Sequence, residues 1–458
     1  MSEIVEISKT VPAKTAPVHK GSMDPAGVYY EAGSGAYFVD VGEHYRRYSR
    51  RSPVINGLAR HFEKLGHGKD AKLMADERLV DVELNSAVDW AGPLAGHKRG
   101  LKRHALGHLL ITTEPNLPEP RPGEFPFINE VIAQLLGQEM LEQVSVLWGW
   151  MKGALAAVQA GVHQPAPLLA VAGPPNCGKS LLAWIVAQLL GGRIGHPHSA
   201  WTGSMLWNDD LVGAELLLVD DAVGSSDYRS RINFGTHFKE SIYGSEVQLK
   251  KRHTSSISVR PVWRAMACVN DDPAALEVLP PVVEGMTDKL ILLAAQPVEL
   301  KEDTSTPEGR EKVQKIIRSE LPALAHYLEG MEIPEELRDS RGGVTAWRHP
   351  ELIEALEGLS PAQQLRELLL MAFDHGLLGS PMDWPVVETA AVVLSKLTAH
   401  DAPTASQART LVRGAKQAGR YLAELARQNP ELVVKLPPHI GVQRYQINEP
   451  RERRNRRT

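Results

Sequence analysis

Leu168-Leu169-Ala170-Val171-Ala172 runs directly into Gly173-Pro174-Pro175-Asn176-Cys177-Gly178-Lys179-Ser180, and that octet into the apolar stretch Leu181 to Leu190. The first run has the length and continuous apolarity of a strand buried on both faces, and the last reads as a helix. A glycine-bearing loop between such a strand and helix, closing on Lys-Ser, makes a phosphate cradle for electrostatic reasons. Glycines let backbone N–H groups close around the phosphates, Lys179 reaches the β and γ groups, Ser180 ligates Mg²⁺, and the helix N-terminus adds its positive end. ATP and Mg²⁺ are therefore the expected ligands. The nucleotide-binding set is Gly173, Pro174, Pro175, Asn176, Cys177, Gly178, Lys179 and Ser180.

Two further runs give this loop a context. Glu215-Leu216-Leu217-Leu218-Val219-Asp220-Asp221 is a hydrophobic strand ending in paired carboxylates, forty-one residues from Lys179 to Asp220. Beside a phosphate loop, Asp220 is placed to hold the metal through its water shell and Asp221 to polarise the attacking water. A third strand, Val262 to Val269, ends in Asn270, whose amide can orient that water or sense the γ-phosphate; alone it would read as a turn asparagine. Strand, loop, helix and strand alternate between Pro167 and Pro297, which predicts an α/β fold with a parallel sheet.

The segment from Gly173 to Asn270 resembles superfamily 3 helicases, the replicative motors of parvoviruses, papillomaviruses and polyomaviruses, in which Gly-Pro-Pro-Asn-x-Gly-Lys-Ser is a known form of the first motif. The resemblance implies an AAA+ P-loop core working as a hexameric ring. It also implies a β-hairpin before the asparagine strand whose basic tip grips DNA. Lys250, Lys251, Arg252 and His253 occupy that place, between the strand-like Val247 to Leu249 and Ser256 to Val259. By the same resemblance Arg193, Lys239 and Lys289 fall where the family keeps cations that act on a neighbour's site. Lysine stands for the usual arginine at two of these, and a point charge lacks the guanidinium fork.

The flanks are similar to phage, plasmid and viral primase-helicases. There, a sequence like Leu109-Leu110-Ile111-Thr112-Thr113 with a proline-rich stretch precedes helices ending in a Trp-rich turn, here Leu147-Trp148-Gly149-Trp150, and a winged helix follows the motor. Five prolines between Pro115 and Pro126 disfavour helix and mark a boundary. The expected organisation is a disordered arm (1–23), an α+β domain of unknown role (24–125), a helical collar (126–164), the motor (165–300) and a helical segment (301–379). A winged-helix-like domain (380–447) and a basic tail (448–458) complete it. Ala36 to Val41 and Leu79 to Leu84 read as β-like runs. Ser360-Pro361-Ala362-Gln363 reads as a capping serine, a first-turn proline and a reciprocating glutamine before a helix that Gly376 ends. Helices are expected near Val386 to Lys396 and Ala415 to Gln428, and short strands at Leu432 to Leu436 and Val442 to Ile447. Asp81-Val82-Glu83 is the only acidic pair in the N-terminal region at primase-like spacing, and about 110 residues are too few for a polymerising primase domain.

With 43% hydrophobic and 23% charged residues the composition is that of a globular protein. No apolar stretch approaches the roughly 20 residues a bilayer span needs, and the polar N-terminus lacks the form of a secretory signal. Two cysteines, Cys177 and Cys268, suit neither a disulfide framework nor a four-ligand zinc site. The bacterial host cytoplasm is the expected setting. His196-Pro197-His198 reads as a loop rather than a metal site, and Trp201, Trp207 and Trp263 as ordinary core or interface aromatics. A net charge of -4 excludes a chain that coats nucleic acid along its whole surface, yet basic runs stand at 44–51, 97–104, 250–253 and in the tail. The expected function is thus an ATP-driven replicative DNA helicase of a phage, satellite, plasmid or virus. It would act on single-stranded or forked DNA, with a separate primase or origin-binding protein as the kind of partner it would need. The competing readings are a ring ATPase that remodels protein partners, whose hydrolysis would ignore DNA, and an origin-binding scaffold that uses ATP only to assemble.

Overall fold

The structure, a computed structural model, describes residues 23–449 apart from 105–106, 138–140, 207, 221–227, 250–255, 283–284, 303, 340–342, 359 and 380–384. Asp221, Lys250, Lys251, Arg252, His253, Trp207 and residues 450–458 of the basic tail therefore lie outside the described residues.

The N-terminal strands β1 (Val28–Glu31), β2 (Ala36–Asp40) and β3 (Tyr45–Tyr48) precede α1 (Arg51–Lys64), α2 (Ala71–Asn85) and β4 (Ala87–Val88), with sheet order β3-β2-β1-β4. Alternation decides its two faces. Val28, Tyr37 and Val39 pack on Val54, Leu58, Leu79 and Val82 of the helices, while Ala36 and Phe38 turn to Val88, Ala91 and Leu110. The β-like reading of Leu79 to Leu84 is corrected, since those residues lie in α2. Ala71, Ala75, Leu79 and Val82 are buried at helical spacing, and Val80 and Leu84 stay exposed. The alternation of Val80, Val82 and Leu84 imitates a strand, but the side of the helix carrying Leu79 and Val82 does the packing.

A second small sheet, β5 (Trp90–Gly92), β6 (Gly100–His104) and β7 (Gly107–Ile111), has order β5-β7-β6. Trp90, Leu94, Leu109 and Ile111 share the core of the five-stranded parallel sheet described next, so this stretch packs with that sheet and not only with the N-terminal strands. Two helices follow in the stretch expected to be helical, α3 (Pro126–Leu136) and α4 (Leu141–Ala160); Leu147 to Trp150, expected as a turn, lie inside α4.

The central sheet is built from β8 (Leu168–Ala172), then α5 (Lys179–Leu189), β9 (Ile194–Gly195), α6 (His198–Trp201), β10 (Leu216–Asp220) and α7 (Tyr228–Tyr243). The hairpin strands β11 (Val247–Leu249) and β12 (Ile257–Val259) come next, then β13 (Arg264–Val269), α8 (Pro273–Leu276) and β14 (Leu290–Ala294). Five strands pair in parallel in the order β14-β8-β13-β10-β9. Both faces are covered, as a parallel sheet requires. Leu169 and Val171 of β8 face a core made with α3, α4, α5 and the long helix α9 (Pro307–Gly330), whereas Leu168, Ala170 and Ala172 face Phe234 and Phe238 of α7. Trp201 and Trp263 belong to the second core.

A buried guanidinium ties α4 to the sheet. Arg264 at the start of β13 donates to the carbonyls of Gly153 (3.0 Å) and Gln164 (2.6 Å), and burial lowers its pKa to about 10. It stays charged at neutral pH; its two terminal nitrogens donate to backbone oxygens, while the buried Nε has no hydrogen-bond partner.

Beyond α10 (Pro350–Gly358) the C-terminal unit has its own core: α11 (Pro361–Asp374), β15 (Val386–Thr389), α12 (Ala390–Leu397), α13 (Ala405–Leu411), α14 (Ala415–Gln428), β16 (Val433–Lys435) and β17 (Arg444–Ile447). Its antiparallel sheet has order β15-β17-β16. Ser360 caps α11 by accepting from Gln363 N at 3.2 Å. Gln363 does not reciprocate; its amide donates to Gln428 and Asn429 of the far helix end, each at 3.0 Å. Gly376 at φ 67° closes the other end, with Gly376 N on Phe373 O and Leu377 N on Ala372 O. The single helix expected over Val386 to Lys396 is corrected: Val386 to Thr389 pair with β17, and Thr389 then caps α12 through Val392 N. β-Branched Val386, Val387 and Thr389 favour that strand. Among the described residues no helix is long and apolar enough to cross a membrane.

Candidate nucleotide site and hairpin

The loop Gly173–Ser180, expected to cradle phosphate, stands at the C-terminal edge of the parallel sheet, between β8 and α5. Its shape follows from three residues. Gly173 lies so close to Ala295 that an added Cβ would stand 2.5 Å from its carbonyl oxygen. Asn176 (φ 60°) and Gly178 (φ 114°) take left-handed backbone, which asparagine and glycine tolerate. No side chain caps α5, so its first N–H groups face the loop. That arrangement suits a polyanion: unshared N–H donors, a helix dipole and a lysine converge on one concavity.

Lys179 is buried, and its Nζ donates to the carbonyl oxygens of Gly173 and Pro174, both at 2.8 Å, and to Asn270 Oδ1 at 3.1 Å. The structure therefore brings the loop lysine and the asparagine of the third motif into contact, although ninety-one residues separate them. Asp220 ends β10 in register with Cys268 of β13, so its carboxylate reaches the same sheet edge. Ser180 is exposed on the first turn of α5. Together these residues fit a Mg-nucleotide: donors for phosphate, a hydroxyl and a carboxylate for the metal, and an amide beside the lysine.

The three other cations lie elsewhere. Arg193 precedes β9 at the opposite, N-terminal edge of the sheet. It forms a two-pronged ion pair with the fully buried Glu215, its Nε donating to Oε2 at 2.9 Å, and also reaches Thr113. Its charge is thus matched within its own chain. Lys289, also at that edge, donates to Asp288 at 2.7 Å and sits 5.0 Å above the Tyr243 ring. Lys239 of α7 comes near Gly285.

The stem of the expected hairpin is present, with Val247, Gln248 and Leu249 pairing antiparallel to Val259, Ser258 and Ile257. Its base is braced by a turn that the sequence reading did not single out as functional. Ala95 O accepts from Val262 N at 2.9 Å, Gly96 N donates to Glu215 Oε1 at 2.8 Å, and His97 Nε2 contacts Arg260 O at 2.8 Å. Burial and Lys102 at its other nitrogen push the His97 pKa down, apart from the opposing pull of the Arg260 carbonyl. Another residue the motifs did not announce is Gln143, buried in α4. It donates to Leu136 O at 3.1 Å and accepts from Ala294 N at 2.7 Å, closing the end of β14 onto the helices. A lone buried glutamine has no sequence signature.

No family model and no curated protein matches the sequence. Among solved structures, two apo forms of the NrS-1 C-terminal region are similar in fold. One aligns with TM-score 0.54 and 11% identity, covering 93% of this chain and 97% of that one. The other has TM-score 0.52 and 10% identity over 92% of this chain and 96% of that one. A structure described as "SCCmec type IV Cch - active helicase" reaches TM-score 0.30 at 11% identity, a score that does not establish a shared fold.

Proposed function

We propose that this chain is an ATP-driven DNA helicase of the superfamily 3 kind, in which a nucleotide motor moves one DNA strand through a ring of six copies. The observation that carries the reading is the meeting of Lys179 and Asn270 at 3.1 Å on the sheet edge where Asp220 also ends, in front of an uncapped helix N-terminus. A fold-wide match to the NrS-1 C-terminal region supports the architecture.

In this reading the loop Gly173–Ser180 holds the triphosphate, whose phosphoanhydride bond is the energy source, and Ser180 and Asp220 hold Mg²⁺. Lys179 gives up its carbonyl partners and neutralises phosphate charge, which in a partly buried site outweighs the same contact in water. Asp221 orients the attacking water and takes its proton. Asn270, already touching Lys179, links that chemistry to the strand following the hairpin. Lys250 to His253 at the hairpin tip contact the DNA backbone, and Lys239 and Lys289 face the neighbouring copy's site. We assign Arg193 the weakest claim to such a role, because Glu215 already holds it. Helices α3 and α4 form the collar, and the C-terminal unit is a winged helix on the grounds of its element order and its β15-β17-β16 sheet.

A forked-duplex unwinding assay with ATP and Mg²⁺, run beside DNA-stimulated phosphate release, tests the proposal. Strand separation abolished by Lys179→Ala and by His253→Ala is the expected result. Hydrolysis insensitive to DNA would favour a remodelling ATPase, and nucleotide binding without turnover an assembly scaffold.

A further inference from the structure

The last 54 residues, 405–458, contain twelve Arg or Lys against four Asp or Glu, a net of +8 in a chain of -4, so residues 1–404 carry -12. Such asymmetry points to a polyanion at this end. Arg413, Lys416, Arg420 and Arg427 are exposed along or just before α14, and Lys435 is exposed on β16. Among the described residues none of these five forms an ion pair. Between α14 and β16 runs a groove of about 560 Å³ lined by Ala423, Ala426, Arg427, Pro430, Val434 and Lys435, with the two cations on its flanks.

The hairpin that borders this groove ends in an unusual turn. His439 and Val442 exchange both backbone hydrogen bonds at 3.0 Å, leaving Ile440 and Gly441 as a two-residue loop at φ 50° and φ 74°. Positive φ at both positions defines a turn that prefers Asn-Gly, and a β-branched residue in the first place is strained. Ile440 is also 89% exposed, the highest value among the large apolar side chains described. It is therefore held in an unfavourable conformation while little of its side chain is buried by the described residues. Prolines 437 and 438 stiffen the approach, and Tyr445 Oη donates to Gly419 O at 2.7 Å, fastening the hairpin to α14.

We propose that the C-terminal unit is a second DNA site, for duplex, in which α14 and the β16–β17 hairpin straddle one phosphate backbone and Ile440 enters the minor groove as an apolar wedge between base steps. Isoleucine is one of the side chains that partly unstack a step in this way, and exposed Arg427 and Lys435 supply the flanking phosphate contacts. The inference goes beyond the motor reading, which puts DNA at Lys250 to His253 and gives the C-terminal unit no ligand.

The test uses the full chain and a short blunt duplex carrying 2-aminopurine, whose fluorescence rises when its step is unstacked. The wild-type protein is expected to bind the duplex and raise that signal. Ile440→Asn suits the turn better, so the protein should melt no lower, yet lose the signal and about tenfold in duplex affinity, the scale of one lost wedge contact. Arg427→Gln and Lys435→Gln should each flatten the dependence of log affinity on log salt by about 1. Unchanged signal and affinity in Ile440→Asn would overturn the wedge, and absence of duplex binding by the wild-type chain would overturn the site and leave the wing as a protein contact. The motor reading is separated by DNA-stimulated hydrolysis of the wild-type chain: its loss beside intact duplex binding sinks the motor alone, and the converse sinks this inference alone.

Discussion

Among the described residues two non-glycine positions take left-handed backbone, Asn176 in the loop between β8 and α5 at φ 60° and Ile440 at the tip of the β16–β17 hairpin at φ 50°. Their surroundings differ in kind. Asn176 is a residue type that visits this region readily, and it stands in a loop whose flanking Gly173 and Gly178 are shaped for the same purpose. Ile440 is a residue type that avoids it, alone and in solvent. In the first turn local preference and tertiary role agree; in the second they conflict, and such conflicts in a natural protein mark function more often than error.

Several substitutions would break or sharpen this contrast. The largest effect is expected from Lys179→Ala, which should lower ATP hydrolysis by about 100-fold or more while leaving the unfolding temperature near that of the wild type, as removal of a charge stabiliser does. Phosphate release and a melting curve check it, and a collapse in melting temperature would mean that its bonds to Gly173 and Pro174 hold the fold instead. Next, Asn176→Ile would put the residue of the β16–β17 hairpin tip into the loop between β8 and α5. It should cost about 1–2 kcal/mol of strain and weaken nucleotide affinity roughly in proportion, read by titration with a fluorescent nucleotide. The reverse exchange, Ile440→Asn, should stabilise the C-terminal unit by about 1 kcal/mol, visible as a shift in denaturant midpoint at constant slope. A fall in stability would show that Ile440 packs where the structure leaves it exposed.

The smallest effect concerns a third left-handed turn, where Gly96 (φ 71°) is followed by His97. Burial depresses the His97 pKa below the ordinary 6.5, so the unfolded chain binds its proton more readily than the folded one. Stability is therefore fully kept above that ordinary value and falls as pH drops from it towards the depressed one. His163 and His198 are depressed by burial in the same direction. Melting curves from neutral to mildly acidic buffer should show a decline that His97→Gln makes shallower.

How much of this was legible differs between the regions for the same reason. The loop Gly173–Ser180, the strands ending at Asp220 and Val269, and helix α14 were readable because each is dictated by neighbours in sequence: a buried run, a glycine where backbone turns, an apolar stripe at helical spacing. Leu79 to Leu84 misled because its alternation satisfies a strand locally, while α1 and the β1–β2 face select the helical stripe through Leu79 and Val82. Val386 to Thr389 misled in the opposite sense, since only β17, more than fifty residues away, makes it a strand.

The amino-acid order by itself determined the strand–loop–helix around Gly173 to Ser180, the carboxylate-ended strand that follows it and the positive charge of residues 405–458, because short-range sterics, hydrophobic periodicity and Coulomb sign need no knowledge of the fold. Only the tertiary structure decided that Lys179 meets Asn270, that Arg193 pairs with Glu215, and that Ile440 is held in the open. Those are long-range pairings, fixed by which strands lie side by side in the sheets and which faces the helices cover.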